Sequence, residues 1–301
     1  MIDLRRLHVL RAVEHYGTVT AAARALHLTT SAASQQVRQL ARELGVDLLE
    51  PKGRGVRLTV AAQSLLTHAD AIQARWERAE LDLRADHADP AGLLRVSGFP
   101  TAVSVLLAPA AARLREHHPR LVLRIQESEV PESFDLLFEG ETDLAVVETT
   151  PRNPPPGDAR FDQQPLLDDP FDLVVPDTHR LAGLRRIGLA EAAREDWIAP
   201  VESSPCRPHV LSACGAAGFT PDVVHHARDW NATAHLVALG LGVALVPRLA
   251  HLAPHLPVTR VRCTGDPHRK ILTCTRAGGR ERPAVAAALE QLRELAATAV
   301  A

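Results

Sequence analysis

The sequence predicts an α/β protein that begins with an all-helical segment and continues through one long helix. Three observations lead to this fold class. Apolar residues recur at helical spacing over the first 45 positions, a heptad repeat follows from residue 58 to residue 83, and from residue 93 short apolar runs alternate with helical stretches. A chain of 301 residues with 46% hydrophobic content is long enough for two or three globular domains.

Charge is distributed unevenly along the chain, although the total is only −2. Residues 1–60 hold nine basic and five acidic side chains, a net +4, so the remainder carries −6. A basic N-terminal segment followed by an acidic remainder is typical of a polyanion-binding module joined to another domain. Aromatic residues make up only 3% of the chain, which disfavours binding of single strands by base stacking. Duplex DNA is therefore the expected partner.

The N-terminus and the cysteines indicate a cytoplasmic protein. Charged residues in "MIDLRRLHVLRAVEH" leave no apolar core for a signal peptide, and no run of about 18 apolar residues exists to span a membrane. The four cysteines, at 206, 214, 263 and 274, are too few for a disulfide framework in a chain this long. We expect reduced thiols.

Three helices are predicted before residue 45. The first runs from Leu4 to Gly17, the second is short and is capped by Thr18 or Thr20, and the third is capped by Thr29 or Thr30 and ends at Gly45. The third helix carries an apolar stripe spaced by four, three and four residues, namely Ala33, Val37, Leu40 and Leu44. Its opposite face is polar and consists of Ser31, Ser34, Gln35, Arg38 and Arg42.

No Asp or Glu occurs between Glu14 and Glu43. A helix in the major groove lies between two rows of phosphates, which repel carboxylates, whereas Ser, Thr, Gln and Arg can donate to bases and backbone. The segment therefore predicts a helix-turn-helix whose third helix reads DNA. The alternative, an Ala-rich amphipathic helix on a solvated surface, explains the apolar stripe but not the missing acids.

A wing and a long helix are predicted next. In "EPKGRGVRLT", Gly53 and Gly55 flank Arg54 in a tight hairpin, and a short strand follows. A helix from Thr59 to Ala85 would be about 40 Å long. Its heptad seam consists of Leu58, Ala62, Leu65, Ala69, Ile72, Trp76, Ala79 and Leu83. Such a seam indicates a partner helix and a dimer, unless the helix packs against its own chain, which the small alanines also allow.

An α/β region follows the break "DHADPAG" at residues 86–92. The runs "LLRVSGFP", "LVLRIQE" and "TDLAVVE" read as strands separated by helical stretches, which predicts parallel βαβ units. The same texture continues through "FDLVVP", "DWIAP", "VVHHA" and "GVALVP", and "PAVAAALEQLRELAATAV" is a final helix.

Along nearly its whole length the chain resembles LysR-type transcriptional regulators. The resemblance rests on "TAAARALHLTTSAASQQVRQLARELGVDLL" with "GVRLT", on "PDTHRLA" after "FDLVV", and on "LVALGLGVALVP". It implies a winged helix-turn-helix at 1–58, a linker and dimerisation helix at 59–88, and an effector-binding region at 89–301 that is similar to a periplasmic binding protein. In that region subdomain I would comprise 93–162 and 267–301, and subdomain II 163–266.

The resemblance also implies partners and contacts. The family usually forms homodimers that pair into homotetramers on double-stranded operator DNA. By matching positions, the DNA contacts would be Thr29, Thr30, Ser31, Ser34, Gln35, Arg38 and, from the wing, Arg54. The chain would cross twice between the two subdomains and leave a cleft for a small-molecule effector.

Candidate effector residues lie where ligands bind in open α/β sheets, beyond the carboxyl ends of strands and near helix N-termini. They are Phe99, Pro100, Thr101, Glu127, Glu148, Ser203, Ser204, Cys206 and Trp230. The hydroxyl groups suit a carboxylate, whereas Glu148 and Asp229 suit an ammonium group, so the effector class is a carboxylate or an amino acid. For each residue taken alone, capping of a strand end is the competing interpretation.

A redox sensor is the main alternative, since a peroxide-sensing branch of the family uses two nearby cysteines in its second subdomain. Cys206, at a helix start, would have a lowered pKa. However, eight residues of helix separate Cys206 from Cys214 by about 12 Å, and a disulfide requires Cα atoms within about 7 Å. The helix would have to unwind, and buried structural thiols are the simpler interpretation.

Other functions are disfavoured. Adjacent His225 and His226 point to opposite faces of a strand, and no spacing resembles a metal-ligand set, so we expect no metal and no cofactor. The chain has no phosphate loop, GxSxG elbow or HExxH helix, so we do not expect an enzyme. A solute-binding protein would explain the last two hundred residues, but neither the basic N-terminal segment nor the charged residues at the N-terminus itself.

Overall fold

The computed structural model describes residues 3–52, 55–83 and 90–299. The chain forms two compact units, Met1–Asp82 and Leu83–Ala301. Within the described ranges, no helix has the length and apolarity needed to cross a membrane.

The first unit starts with three helices, α1 (Leu4–Tyr16), α2 (Val19–Ala25) and α3 (Thr30–Leu44). Side-chain oxygens of Asp3, Thr18 and Thr29 each accept a backbone N–H of the following first turn, so the N-caps of α2 and α3 are Thr18 and Thr29. Gly17 and Gly45 adopt the left-handed conformation that ends α1 and α3, as expected.

The predicted stripe of α3 faces the core of this unit. Ala33, Val37 and Leu40 are buried against α1 and α2, and Leu44 is half-buried. The wing follows as an antiparallel hairpin of β1 (Leu49–Lys52) and β2 (Gly55–Leu58). The hairpin tip, with Gly53 and Arg54, lies outside the described residues.

Helix α4 (Val60–Leu83) follows the alternative of packing against its own chain for the first half of the predicted seam. Ala62 and Ala69 are buried together with Leu66, which is not a seam residue, whereas Ile72 is 53% and Trp76 60% exposed. The first half of the seam therefore packs within its own unit, whereas Ile72 and Trp76 of the second half are exposed. A heptad repeat specifies an apolar face but not which chain covers it, which is why sequence did not separate the two halves.

The second unit opens with the strands β3 (Gly92–Gly98), β4 (Leu121–Glu127) and β5 (Leu144–Glu148). Strand β3 pairs in parallel with both of the others, as the βαβ pattern predicted. The connections are α5 (Pro100–Ala102), a π-helical turn (Val103–Leu107), α6 (Ala108–His117) and α7 (Glu132–Glu139). The C-terminal helix α10 (Pro283–Ala299) packs on α6 and buries Val285, Leu289 and Leu292.

One long strand, β6 (Phe161–Pro176), joins this sheet to a second one. Strand β6 pairs with β12 (His268–Arg276) as far as Pro170, and from Phe171 it pairs instead with β10 (Ala244–Pro247) and β11 (Val258–Cys263). The change of sheet thus occurs at Pro170, whereas the sequence placed the crossing at residue 162. All these pairs of β6 are antiparallel, so the expectation of parallel βαβ units throughout was wrong for this part.

The rest of the unit surrounds the second sheet. In chain order its elements are β7 (Arg186–Ile187), a 3-10 turn (Leu189–Ala192), β8 (Asp196–Pro200), α8 (Arg207–Ala216), β9 (Asp222–Ala227) and α9 (Trp230–Ala238). Strands β8 and β9 are parallel. The core here packs around the fully buried Trp197, with Leu173, Val210 and Leu245.

Candidate functional site

The outer face of α3 carries the candidate DNA contacts. Thr29, Thr30, Ser31, Gln35 and Arg38 are exposed, and the Thr29 and Ser31 hydroxyl groups are 3.0 Å apart. Ser34 is half-buried, and Arg54 lies outside the described residues. The structure therefore brings these α3 side chains together on one solvent-facing surface at the start of the helix.

The first acid of α3, Glu43, lies at the far end of the helix and is held by other side chains. Gln39 donates a hydrogen bond of 3.0 Å to its carboxylate, and Arg6 of α1 forms an ion pair with it. Hydrogen bonds from Gln39 and Arg6 lower the pKa of Glu43. The charge of Glu43 is thus paired inside the unit and kept apart from the polar surface at the start of α3.

An apolar surface lies elsewhere on the first unit. Leu4, Ile72 and Trp76 are all more than half exposed. They line a cavity of about 600 Å³ between α1, the segment Leu26–Leu28 and α4. We call Leu4, Ile72 and Trp76 the α4 apolar face. An exposed apolar surface of this kind is suited to contact with another protein surface.

In the second unit a buried arginine, Arg269, contacts three of the nine candidate effector residues. The Arg269 Nε is 3.0 Å from Asp169 Oδ2, and its Nη1 is 3.3 Å from Glu148 Oε2 and 3.9 Å from Cys206 Sγ. Its guanidinium lies over the Phe99 ring, 4.7 Å from the ring centroid. We call these five residues the Arg269 cluster. It connects β5, β6 and β12 with the start of α8.

The cluster is electrostatically unusual because two carboxylates share one cation away from water. Burial raises the pKa of Glu148 and of Asp169, and the charge of Arg269 opposes this shift without cancelling it. The Arg269 Nη2 is buried and has no hydrogen-bond partner among the described residues. The cluster therefore contains one hydrogen-bond donor without a partner, Arg269 Nη2, next to two carboxyl groups with raised pKa values, Glu148 and Asp169.

The expected lowering of the Cys206 pKa was wrong. Burial raises the pKa of the Cys206 thiol to about 12, and the nearby Arg269 only partly opposes that shift. The cause is that Cys206, although it caps α8, is 3% exposed, so desolvation of a thiolate outweighs its position at a helix start. Cys214 is also buried, at the other end of the same helix, and its pKa is likewise raised to about 12 by burial.

The remaining candidates have other partners or surroundings. Ser204 Oγ accepts the backbone N–H of Cys206, and Ser203 Oγ accepts a hydrogen bond of 3.1 Å from Arg228. Thr101 is buried, whereas Pro100 and Glu127 are exposed. Trp230 is half-buried and packs against the core of the second sheet. Of the nine candidates, Phe99, Glu148 and Cys206 contact Arg269.

The two acids considered as partners for an ammonium ligand, Glu148 and Asp229, already have partners within the protein. Glu148 pairs with Arg269, and the Asp229 side chain caps α9 by accepting the Ala232 N–H at 2.9 Å. Within the described part of the chain, no group of three His, Cys, Asp or Glu side chains is arranged to hold a metal ion.

Sequence reasoning missed Arg269 and Asp169, which carry the centre of the site. An ionic chain continues from them along β6, where Asp172 pairs with Arg248 at 2.8 Å and lies 3.7 Å from Arg260. The signal was present in "LLDDPFDLVVP", because carboxylates set within a buried strand require cationic partners.

Comparison with known proteins identifies the class. Residues 4–63 match the family described as "Bacterial regulatory helix-turn-helix protein, lysR family", and residues 87–297 match the "LysR substrate binding domain". The chain belongs to the LysR family of transcriptional regulators. It combines a helix-turn-helix DNA-binding domain with an effector-binding domain and is a regulator, not an enzyme.

Individual relatives agree with this assignment. The chain is 29% identical over 248 residues to the RuBisCO operon transcriptional regulator of Allochromatium vinosum, covering 81% of this chain and 79% of that protein. It is 32% identical over 247 residues to a probable hydrogen peroxide-inducible genes activator of Mycobacterium avium, covering 81% and 77%. An OxyR mutant from Corynebacterium glutamicum shares the fold with a TM-score of 0.64 at 23% identity, covering 100% of this chain and 94% of that one.

Proposed function

We propose that the protein is a cytoplasmic, homodimeric regulator that binds specific operator DNA and responds to a small effector bound at the Arg269 cluster. The domain division is 1–58 for DNA binding, 59–88 for the linker and 89–301 for effector binding, with dimers pairing into tetramers as is usual in the family. The observation that carries the proposal is the Arg269 cluster, where a buried cation with an unpaired hydrogen-bond donor contacts side chains of β5, β6 and the start of α8.

DNA reading is assigned to Thr29, Thr30, Ser31, Ser34, Gln35 and Arg38 of α3, with Arg54 from the wing. The support is the exposed, acid-free surface at the start of α3. Arg38→Ala should weaken specific binding by about 1 to 3 kcal/mol if the guanidinium reads a base edge. Fluorescence anisotropy on a duplex selected from random sequence measures this. Arg115→Ala, an exposed arginine on α6, is the matched control and should leave the affinity unchanged.

Dimerisation is assigned to the α4 apolar face. Ile72→Asp should dissociate the dimer because it would bury an unpaired carboxylate in the interface. Val60 is the matched control, since it is an exposed apolar residue of the same helix outside that face. Light scattering should show a monomer for Ile72→Asp and a dimer for Val60→Asp. If the Ile72→Asp variant were still fully dimeric, the dimer interface would not be the α4 apolar face.

The effector is proposed to carry a carboxylate or a similar oxyanion. The unused Arg269 Nη2 supports an acceptor group, and the commitment of Glu148 and Asp229 removes the case for an ammonium group at this site. Mass spectrometry of compounds released by denaturing the purified protein should reveal the ligand. Thr101→Ala and Ser204→Ala should each cost about 1 to 3 kcal/mol of effector binding while leaving ligand-free DNA binding intact. Wild-type affinity in both would place the ligand elsewhere.

A second candidate function is redox sensing through Cys206. It is favoured by the 3.9 Å contact between Arg269 Nη1 and Cys206 Sγ and by the relative described as hydrogen peroxide-inducible. The raised thiol pKa and the intact helix between Cys206 and Cys214 weigh against it. Peroxide treatment followed by operator binding decides the matter. A response lost in Cys206→Ser would establish redox sensing, and no response in the wild type would exclude it.

A further inference from the structure

Arg42 lies on the same polar face of α3 as the proposed DNA contacts, and no role has been assigned to it so far. It is exposed, and it follows Arg38 by four residues, which is about one turn of helix. The two side chains line one cavity of about 600 Å³ at the end of α3. The other lining residues are Ala41, Gly45, Val46 and Asp47. We call this space the Arg42 pocket.

Neighbouring side chains of α3 hold Arg42 without neutralising its charge. The Arg42 Nη2 donates to the Gln39 Oε1, and the Gln39 Nε2 donates in turn to the Glu43 carboxylate at 3.0 Å. The charge of Glu43 is already paired with Arg6 of α1. Neither Arg38 nor Arg42 forms an ion pair with an acid of the described residues. The Arg42 pocket therefore presents two guanidinium groups whose N–H donors are largely unused.

The hydrogen bond to Gln39 also fixes how far along α3 the Arg42 guanidinium lies. Gln39 is nine residues beyond Thr30, the first residue of the helix, which corresponds to about 13 Å along the helix axis. The major groove of B-DNA is about 12 Å wide. When the first turn of α3 lies among the bases, the Arg42 guanidinium therefore reaches the row of phosphates at the edge of the groove. The Arg38 side chain starts one turn closer and points back towards the start of the helix, so it lies over the bases.

We propose that Arg42, positioned by Gln39, binds a phosphate of the DNA backbone in the Arg42 pocket, whereas Arg38 contacts base edges. This inference rests on the proposed function of α3 and adds to it a residue that binds DNA regardless of sequence. Gly45 leaves room for the sugar–phosphate chain, since a Cβ atom added there would meet nothing within 4 Å. The Asp47 carboxylate lines the same pocket and repels a phosphate, so it limits the affinity.

Two further variants test the roles of Gln39 and Asp47, with anisotropy on the selected operator duplex and on a scrambled duplex of the same length. Gln39→Leu should weaken binding to both duplexes, and it should have no further effect in the Arg42→Ala protein, where no guanidinium is left to position. An additive loss would contradict the positioning role. Asp47→Asn should strengthen binding to both duplexes by about twofold, and Glu116→Gln, an exposed acid on α6, should not. Unchanged binding by Asp47→Asn would place the phosphate outside the Arg42 pocket.

Salt dependence separates a phosphate contact from a base contact. Arg42→Ala should weaken binding to both duplexes by the same factor, about eightfold per bound subunit at about 0.1 M salt. The slope of log K against log salt concentration should become shallower by about 0.9 per bound subunit, and Arg42→Lys, which keeps the charge, should retain the wild-type slope.

Arg38→Ala should instead weaken the operator complex more than the scrambled one. A loss confined to the operator duplex in Arg42→Ala would make Arg42 a base contact and overturn the proposal. An unchanged slope in Arg42→Ala, together with an impaired Arg38→Ala, would also reject the phosphate contact but leave the DNA-reading role of α3 intact. Wild-type binding by both variants would reject the proposed function of α3 as well.

Discussion

The effector unit contains two buried ion clusters with opposite arrangements. In one, a single carboxylate, Asp143, receives three arginines: Arg282 Nη1 at 2.6 Å, Arg276 Nη2 at 3.7 Å, and Arg95 through its backbone N–H at 2.9 Å. In the other, a single cation, Arg269, receives two carboxylates. The Asp143 side chain is buried but its arginines reach water, whereas every charged member of the Arg269 cluster is buried.

The pKa directions record this difference. Burial alone would raise the pKa of Asp143, yet its hydrogen bonds with Arg95 and Arg282 and the charge of Arg276 lower it. For Glu148 and Asp169 burial prevails, and the pKa of each is raised. A buried carboxylate surrounded by solvent-accessible cations stabilises the fold. Two buried carboxylates that share one buried cation are not fully neutralised, so a bound ligand can change the charge balance of that region.

The largest effect should come from removing the shared cation. Arg269→Met would leave Glu148 and Asp169 buried without a partner, and we expect the free energy of unfolding of the effector unit to fall by about 3 to 5 kcal/mol. Urea unfolding followed by fluorescence of the buried Trp197 measures it. Arg269→Lys keeps the charge and should lose less. A loss below about 1 kcal/mol for Arg269→Met would show that the cluster is not a coupled ionic unit.

Asp143→Asn should have a smaller effect, about 1 to 3 kcal/mol, because the arginines left behind can be hydrated. Glu141→Gln is the matched control, since Glu141 is an exposed acid 4.0 Å from Arg95 in the same loop. It should change stability by less than about 0.5 kcal/mol. If the two substitutions cost the same, the burial of Asp143 contributes nothing.

The two clusters should respond to pH with opposite sign. Asp143 has a lowered folded pKa, so its stabilisation is complete above about pH 3.9, the unfolded value, and is lost as pH falls through the folded value. Glu148 has a raised folded pKa, so stability is lost as pH rises from about 4.3 through the folded value. Thermal unfolding against pH should show that Asp143→Asn flattens the acid limb and Glu148→Gln flattens the limb above it. Identical profiles for both variants would contradict the comparison.

The smallest expected effect concerns the reactivity of Cys206. With its pKa raised to about 12, the thiol should alkylate with iodoacetamide at pH 7.5 far more slowly than a free cysteine. Mass spectrometry of the Cys206 peptide gives the rate, and the same peptide in urea is the control. Labelling as fast in the folded protein as in urea would mean that Arg269 stabilises the thiolate more strongly than burial opposes it.

Sequence reasoning succeeded where the determinants are local. The sequence narrowed each N-cap to two threonines, of which the structure uses Thr18 and Thr29, and it identified the terminating glycines and the buried stripe of α3. Each of these features depends on residues within one or two turns. In the Arg269 cluster the partners of Arg269 are far away in sequence: Cys206 by 63 positions, Asp169 by 100 and Glu148 by 121. No local pattern joins them. The seam of α4 lies between these cases, because periodicity identifies its apolar face while tertiary packing decides which seam residues stay exposed.

We propose that α3 reads DNA and that the Arg269 cluster receives the effector that modulates it. Anisotropy of the selected operator duplex, measured with and without the compound released from the purified protein, tests both halves in one experiment. Arg38→Ala should lose DNA affinity and still bind the compound, whereas Arg269→Lys should bind DNA as the wild type does and lose the response to the compound. A normal response in Arg269→Lys, or wild-type DNA affinity in Arg38→Ala at matched salt, would contradict the account.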